Sequence, residues 1–321
     1  MKTLDPEWEI PSEEIVFLSK TPIAKGAFSK IYRGKWRGLD VAIKVVNDEK
    51  ESKFGAEIHI LTLVHHPNIV MFLGYSKMGK KTALVMEWLE NGDLLDYLWK
   101  PRRFPLTYKD RMRLSRDIIV ALNYLHLRFP TSIVHRDLKP RNCLVTAFGH
   151  CKIADFGISK EVSSLKSEQN IQNINNMNSI NSINSFESIH EEDVDNSHGN
   201  VGTLRYMAPE IIHQKDKQHR EIRKSKFLDI YSLSMVLYMI WEDQEVFSGI
   251  SNKENFYEHI RNGERPKFRF TPLRLQSLIR LCWNENPSSR PTTTDIMQVL
   301  VQSPPPGESW KYNICRNLCG R

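Results

Sequence analysis

The run Leu228–Trp241 is apolar on nearly every face of a helix, and a helix of that kind has to be covered all round. It falls short of the roughly 18 residues that cross a bilayer, and Asp229, Ser232 and Ser234 interrupt it. The run therefore predicts a helix sunk in protein, which requires a layer of other helices around it. Thr107, with Asp110 three residues later, has the form of a capping box. It opens a helix with Ile118, Ile119, Leu122 and Leu125 on its apolar face. Two more helical periods are expected at about 271–282 and 292–300.

Residues 15–90 carry a different rhythm. Ile31–Trp36 and Leu39–Val46 are β-branched and aromatic runs flanking Arg37-Gly38, which is a hairpin signal. Thr82–Trp88 is strand-like, while Phe54, Ile58, Leu61 and Val64 recur at helical spacing. A small β-rich lobe ahead of a larger helical one gives an α+β, bilobal fold class, and the cleft between lobes is the expected ligand site. Of the 321 residues 40% are hydrophobic and 26% charged, a balance that excludes fibrous and wholly disordered classes. Met1–Glu14 is acidic and has no apolar segment, so no secretory leader or membrane span is expected. The five cysteines are odd in number and scattered, which points to a reducing, intracellular and cytoplasmic setting.

The formal charge of +7 is unevenly placed. Residues 163–200 hold one lysine against six acids, with nine Asn and eight Ser. Such a tract cannot bury enough apolar surface to offset its ordering entropy, so it reads as a disordered insert. The basic cluster Lys215, Lys217, Arg220, Arg223, Lys224 and Lys226 reads as a solvated face, so no nucleic-acid partner is expected.

The chemistry sits in ordered blocks. These are Val41-Ala42-Ile43-Lys44, then His135-Arg136-Asp137-Leu138-Lys139-Pro140-Arg141-Asn142, then Asp155-Phe156-Gly157, and last Gly202-Thr203-Leu204-Arg205-Tyr206-Met207-Ala208-Pro209-Glu210. In this order the chain resembles a eukaryotic protein kinase over about residues 16–302. Within that family Trp8-Glu9-Ile10 and Tyr32-Arg33-Gly34-Lys35-Trp36 look like the tyrosine-kinase-like group, meaning mixed-lineage and Raf-type serine/threonine kinases.

The resemblance implies roles. Lys44 would bind the nucleotide phosphates and be held by a helical carboxylate, either Glu57 or its rival Glu51. Asp155 and Asn142 would hold magnesium, with manganese as the alternative metal. Asp137 would be the catalytic base, with Lys139 on the transferred phosphate and Thr203 supporting both. ATP would lie against Ile23, Ala42 and Leu144, behind it the gatekeeper Met86, with backbone contacts at residues 87–89, Glu87 and Leu89 among them. The phosphate loop Ala24-Lys25-Gly26-Ala27-Phe28-Ser29-Lys30-Ile31 keeps only the middle glycine of the family pattern, so Ala24 and Ser29 are expected to constrain it. His135 and Phe156 would join Leu61 and Phe72 in an apolar spine. Asp229 would hold the catalytic-loop backbone, and Glu210 would pair with Arg290.

The expected boundaries are an N-terminal extension at 1–14, a kinase domain at 15–302 divided near residue 88, the insert at 163–200 within the activation segment, and a tail at 303–321. Arg136 beside Asp137 implies an upstream activating kinase, with Ser185, Ser188 and Ser197 as candidate acceptors. The expected activity is transfer of the ATP γ-phosphate to serine or threonine of protein substrates. The alternatives are a tyrosine or dual-specificity kinase, and a pseudokinase scaffold in view of the degraded loop.

Overall fold

Arg37 and Gly38 both take left-handed backbone, with φ of 47° and 84°, as a two-residue turn between twisted strands requires. The computed structural model that shows this describes residues 5–26, 29–47, 51–163, 201–212 and 225–301. Ala27 and Phe28, the insert beyond Ser163, its three candidate serines, the cluster residues 215–224 and the tail from 302 lie outside the described residues.

The turn joins the long strands of an antiparallel sheet. Its members are β1 (Ile15–Phe17), β2 (Ala24–Lys25), β3 (Ser29–Trp36), β4 (Leu39–Asn47), β5 (Phe72–Lys77) and β6 (Lys81–Glu87), with helix α1 (Glu51–Leu63) between β4 and β5. The strand order is β1-β3-β4-β6-β5, and β2 pairs with β3. Alternation sorts the faces. Val41, Ile43, Ala83 and Val85 pack with Ile10 and Ile15 on one side. Leu84 and Tyr75 meet Phe54, Ile58 and Leu61 of α1 on the other.

Residues 5–14, ahead of β1, lie along this lobe. The Trp8 ring lies 5.3 Å from Phe72, and Ile10 N–H donates to the Tyr75 carbonyl at 2.7 Å. The approach is so close that a Cβ on Gly74 would stand 2.6 Å from the Trp8 carbonyl oxygen.

The larger lobe begins with α2 (Leu94–Trp99) and α3 (Tyr108–Leu127). Thr107 and Asp110 exchange hydrogen bonds at the start of α3 in a complete capping box. The short strands β7 (Thr131–Val134), β8 (Cys143–Val145), β9 (Cys151–Ile153) and β10 (Lys160–Ser163) follow, then the short helices α4 (Val201–Leu204) and α5 (Pro209–Ile212). The run that opened the sequence reading is α6 (Phe227–Glu242), and every residue from Leu228 to Glu242 is buried. Around it stand α3, α8 (Leu273–Cys282) and α9 (Thr293–Val301), while α7 (Lys253–Arg261) packs with Leu204 of α4 in a separate small cluster. Its terminal carboxylate, Glu242, accepts N–H bonds from Arg269, Phe270 and Thr271. Such bonds are what a buried carboxylate requires.

Arg290 reaches Glu210 through two bonds of 2.6 and 2.8 Å, as the resemblance implied. The lobes are stitched along β9, where Ile153 N–H donates to Asn68 and Val70 N–H donates to Ile153.

Candidate active site

Lys44 lies in β4, opposite Ile31 on one side and Leu84 on the other. Its ammonium stands 2.6 Å from Glu57 on α1 and 2.9 Å from Asp155. Glu57 is therefore the helical carboxylate that meets Lys44. The Lys44 and Glu57 side chains are 12% and 6% exposed, whereas Asp155 is 42% exposed. Of these three groups, Asp155 is the one that opens to the cleft. Burial would discharge Lys44, but the charges of Asp155 and Glu57 outweigh it and raise its pKa. Lys44 in turn holds Asp155 down to about 2, with help from Lys139 and His135. Burial pushes Glu57 up against the pull of Lys44.

The loop below is anchored from underneath by Asp229, which is fully buried at the start of α6. Its carboxylate accepts the backbone N–H of His135 at 2.8 Å and of Arg136 at 2.7 Å, and meets His126 Nε2 at 2.8 Å. Burial would raise its pKa, yet the bonds and charge of His126 and the loop N–H hold it below the ordinary carboxylate value. So gripped, the loop takes left-handed backbone at Arg136, φ 69°, and the same conformation recurs at Asp155, φ 65°. Phe156 locks the second of these from behind. It is 1% exposed, and its ring meets His135 edge-on at 5.1 Å. With Leu61 and Phe72 it belongs to the main core, as the apolar spine requires.

The Asp137 carboxylate that results faces Lys139 Nζ at 2.7 and 3.0 Å and the Asn142 amide at 2.9 Å. Asn142 spends its second amide N–H on the Asp137 carbonyl at 2.8 Å. Its side-chain oxygen is then the atom with capacity for a cation. The Asn142 carbonyl also accepts Ala154 N–H at 2.8 Å, which ties it to the residue before Asp155. Thr203 sits in α4, and its carbonyl accepts Tyr206 N–H. The bonds described for the Asp137 carboxylate come from Lys139 and Asn142.

The cleft roof differs from the sequence expectation. Ala24 and Lys25 are paired strand residues opposite Ile31 and Lys30, Ile23 N–H donates to Ile31, and Ser29 pairs with Val46. None of Ala24, Gly26 and Ser29 has positive φ. The strand pairing at 24 and 29 needs no glycine, while Ala27 and Phe28 at the loop tip lie outside the described residues. Gly26 still matters for approach, since a Cβ there would stand 3.0 Å from Ser29 Oγ.

At the back of the cleft Met86 is half-buried, with Ala42 opposite it in β4 and Phe72 opposite it in β5. Leu144 is half-buried in β8, and Leu89 is buried. The Glu87 carboxylate does not face the cleft as a free group. It accepts Lys152 Nζ at 2.6 and 2.8 Å and Met71 N–H at 2.7 Å. The sequence reading passed over Lys152 because its partner lies 65 residues away and no local pattern joins them.

Among the described residues no group of three or more His, Cys, Asp or Glu could hold a metal by itself. A hard divalent cation needs only one or two protein oxygens when phosphate and water complete its shell. Asp155 with Asn142 offers such a pair.

The family described as Protein kinase domain matches residues 17–301. The chain belongs to the protein kinase family. Similar curated proteins include the serine/threonine-protein kinase VIK of Arabidopsis thaliana, 34% identical over 92% of this chain and 61% of its own length. The serine/threonine/tyrosine-protein kinase HT1 of the same plant is 29% identical, over 92% of this chain and 67% of its length. The dual specificity protein kinase shkC of Dictyostelium discoideum is 32% identical, over 91% and 52%. The kinase domain thus spans about half to two thirds of these relatives, and its resemblance to the tyrosine-kinase-like group stands with them. No described helix is long and apolar enough to cross a membrane.

Proposed function

We propose that this kinase domain transfers the γ-phosphate of ATP to serine or threonine hydroxyls of protein substrates, with magnesium. The reading rests on one observation above others. Lys44 is paired with both Glu57 and Asp155, while Asp137, Lys139 and Asn142 form a second hydrogen-bonded cluster beside them. A scaffold released from turnover has no need of either arrangement, which argues against the pseudokinase alternative.

The residues then divide the work. Ile31 and Ala42 above and Leu144 below would sandwich the adenine, with backbone groups of residues 87–89 at its edge. Lys44 would hold phosphate oxygens, its charge kept by the two carboxylates. Asp155 and the Asn142 side-chain oxygen would hold the metal, which would supply positive charge against the phosphates. Asp137 would orient the acceptor hydroxyl and take its proton on the carboxylate. Lys139, already 2.7 Å from that carboxylate, would neutralise the phosphoryl group in flight. Preorganised charge of this kind is the main lever in phosphoryl transfer.

Lys139 two residues past Asp137 supports serine/threonine specificity. The names of two relatives, one dual specificity and one serine/threonine/tyrosine, keep a second reading in play. Incubation with magnesium, labelled ATP and a peptide array, followed by phosphoamino-acid analysis, tests both readings. Phosphoserine and phosphothreonine alone are expected, and phosphotyrosine would select the second. Asp137→Asn should lower kcat by about 10²–10⁴, the usual contribution of a positioned base, with ADP affinity kept. Wild-type turnover in that variant would remove Asp137 from the mechanism. Partners on this reading are protein substrates and an upstream activating kinase, in a cytoplasmic setting.

A further inference from the structure

The Glu87–Lys152 contact joins three segments that the nucleotide cleft needs in register. Glu87 ends β6, where the small lobe hands over to the large one, and its N–H donates to the Met71 carbonyl at 3.0 Å while its carboxylate accepts Met71 N–H. Met71 leads into β5. Lys152 is the middle residue of β9 and lies three residues before Asp155. Its neighbours Cys151 and Ile153 are fully buried. By strand alternation Lys152 therefore points to the other face, the one it shares with its cross-strand partner Leu144.

Both charged side chains are only 18% exposed. At that depth a two-oxygen ammonium contact is little screened and geometrically specific. β9 itself is fixed, because Asn68 and Val70 bond Ile153 on one edge and β8 pairs on the other. The hinge end at Glu87 is thus tied to a rigid floor strand at one point beneath the base-binding edge.

We infer that Lys152 is a positioning residue for the nucleotide base. Through Glu87 it sets the position of the hinge backbone relative to Leu144, and so the width of the slot that an adenine enters. This rests on the reading of the cleft as a nucleotide site. The tie touches none of the groups assigned to the phosphates or to proton transfer. Its loss should weaken binding at the base end and leave the chemical step alone.

Lys152→Met keeps the stem and its packing while removing the charge. In this variant the KM for ATP should rise about tenfold, the scale of one charge-assisted hydrogen-bonded contact, with kcat within about twofold of wild type. Calorimetric titration with ADP and with adenosine should show the same fold loss for both, because the defect lies at the base. A merely structural lysine would lower the unfolding temperature and leave the KM unchanged. Lys152→Arg keeps the charge and can still give both carboxylate oxygens a hydrogen bond, so it should retain most of the affinity that Lys152→Met loses. An unchanged KM in an active Lys152→Met enzyme, or ADP weakened while adenosine is not, overturns the inference and leaves the nucleotide site standing. Wild-type protein that binds neither nucleotide overturns the reading of the cleft itself.

Discussion

Asp155 carries the clearest pH signature of any single residue in the cleft. Lys44 holds its pKa at about 2, below the 3.8 of an unpaired aspartate. A carboxyl depressed on folding stabilises the native state fully above its unfolded pKa and loses that contribution as the pH falls toward its folded one. The unfolding temperature of wild type should therefore exceed that of Asp155→Asn near neutrality, and the gap should close between about pH 4 and pH 2. A gap that stays constant down to pH 2 would mean that Lys44 does not hold the charge. At the roof, Ala24 and Ser29 are paired strand residues with ordinary backbone. Ala24→Gly with Ser29→Gly therefore gains no needed freedom and adds unfolded-state entropy, at about 0.5–1 kcal/mol per site. We expect a lower melting temperature and no tighter ADP binding, and calorimetry of the double variant decides it.

Elements hold the loops in place, and Asp229 shows how. It receives three donors at the head of a fully buried helix. Asp229→Asn preserves the shape but turns an N–H₂ toward one of those donors. The expected cost is about 1–3 kcal/mol, the penalty for an unsatisfied buried group, together with a fall in kcat as the loop loosens. Urea unfolding with an unchanged m-value would read out the first effect. The helix itself was legible from its apolar run, the α3 cap from Thr107 and Asp110, and the β3–β4 hairpin from Arg37-Gly38, because each is a local pattern. Lys44, Asp137, Asn142 and Asp155 were legible as motif residues of the family. Three features were hidden. The packing of Trp8 on Phe72, the pairing of β10 with β7 and the reach of Lys152 to Glu87 each depend on partners far apart in sequence. Hydrophobic period and turn chemistry carry no information about such pairings. Glu57 stood between these cases, since spacing offered two carboxylates and the turn of α1 that faces β4 chose one.

For the whole molecule, 37 residues of sequence separate the end of β10 at Ser163 from the start of α4 at Val201. The tract's composition argues for a tolerated expansion, and loop closure depends only weakly on length. Replacing residues 165–197 by a short Gly-Ser linker shortens the connection about fourfold, which relieves about 1 kcal/mol of closure entropy. On that reading the melting temperature should rise by about 2–4 °C, with peptide phosphorylation unchanged. Activity lost or gained on shortening would instead give the tract a regulatory role. Stability and turnover pull apart more sharply at Arg136 and Asp155. Both are non-glycine residues held with left-handed backbone beside the reacting groups, a conformation that costs on the order of 1–3 kcal/mol each. At Arg136 a chain selected for folding alone would drift downhill toward glycine or asparagine, as would a duplicated copy freed from its duty. Arginine stands there against that thermodynamic slope, so position 136 serves as a fossil gauge. In any descendant of this gene, its replacement would date the moment at which phosphotransfer ceased to be selected.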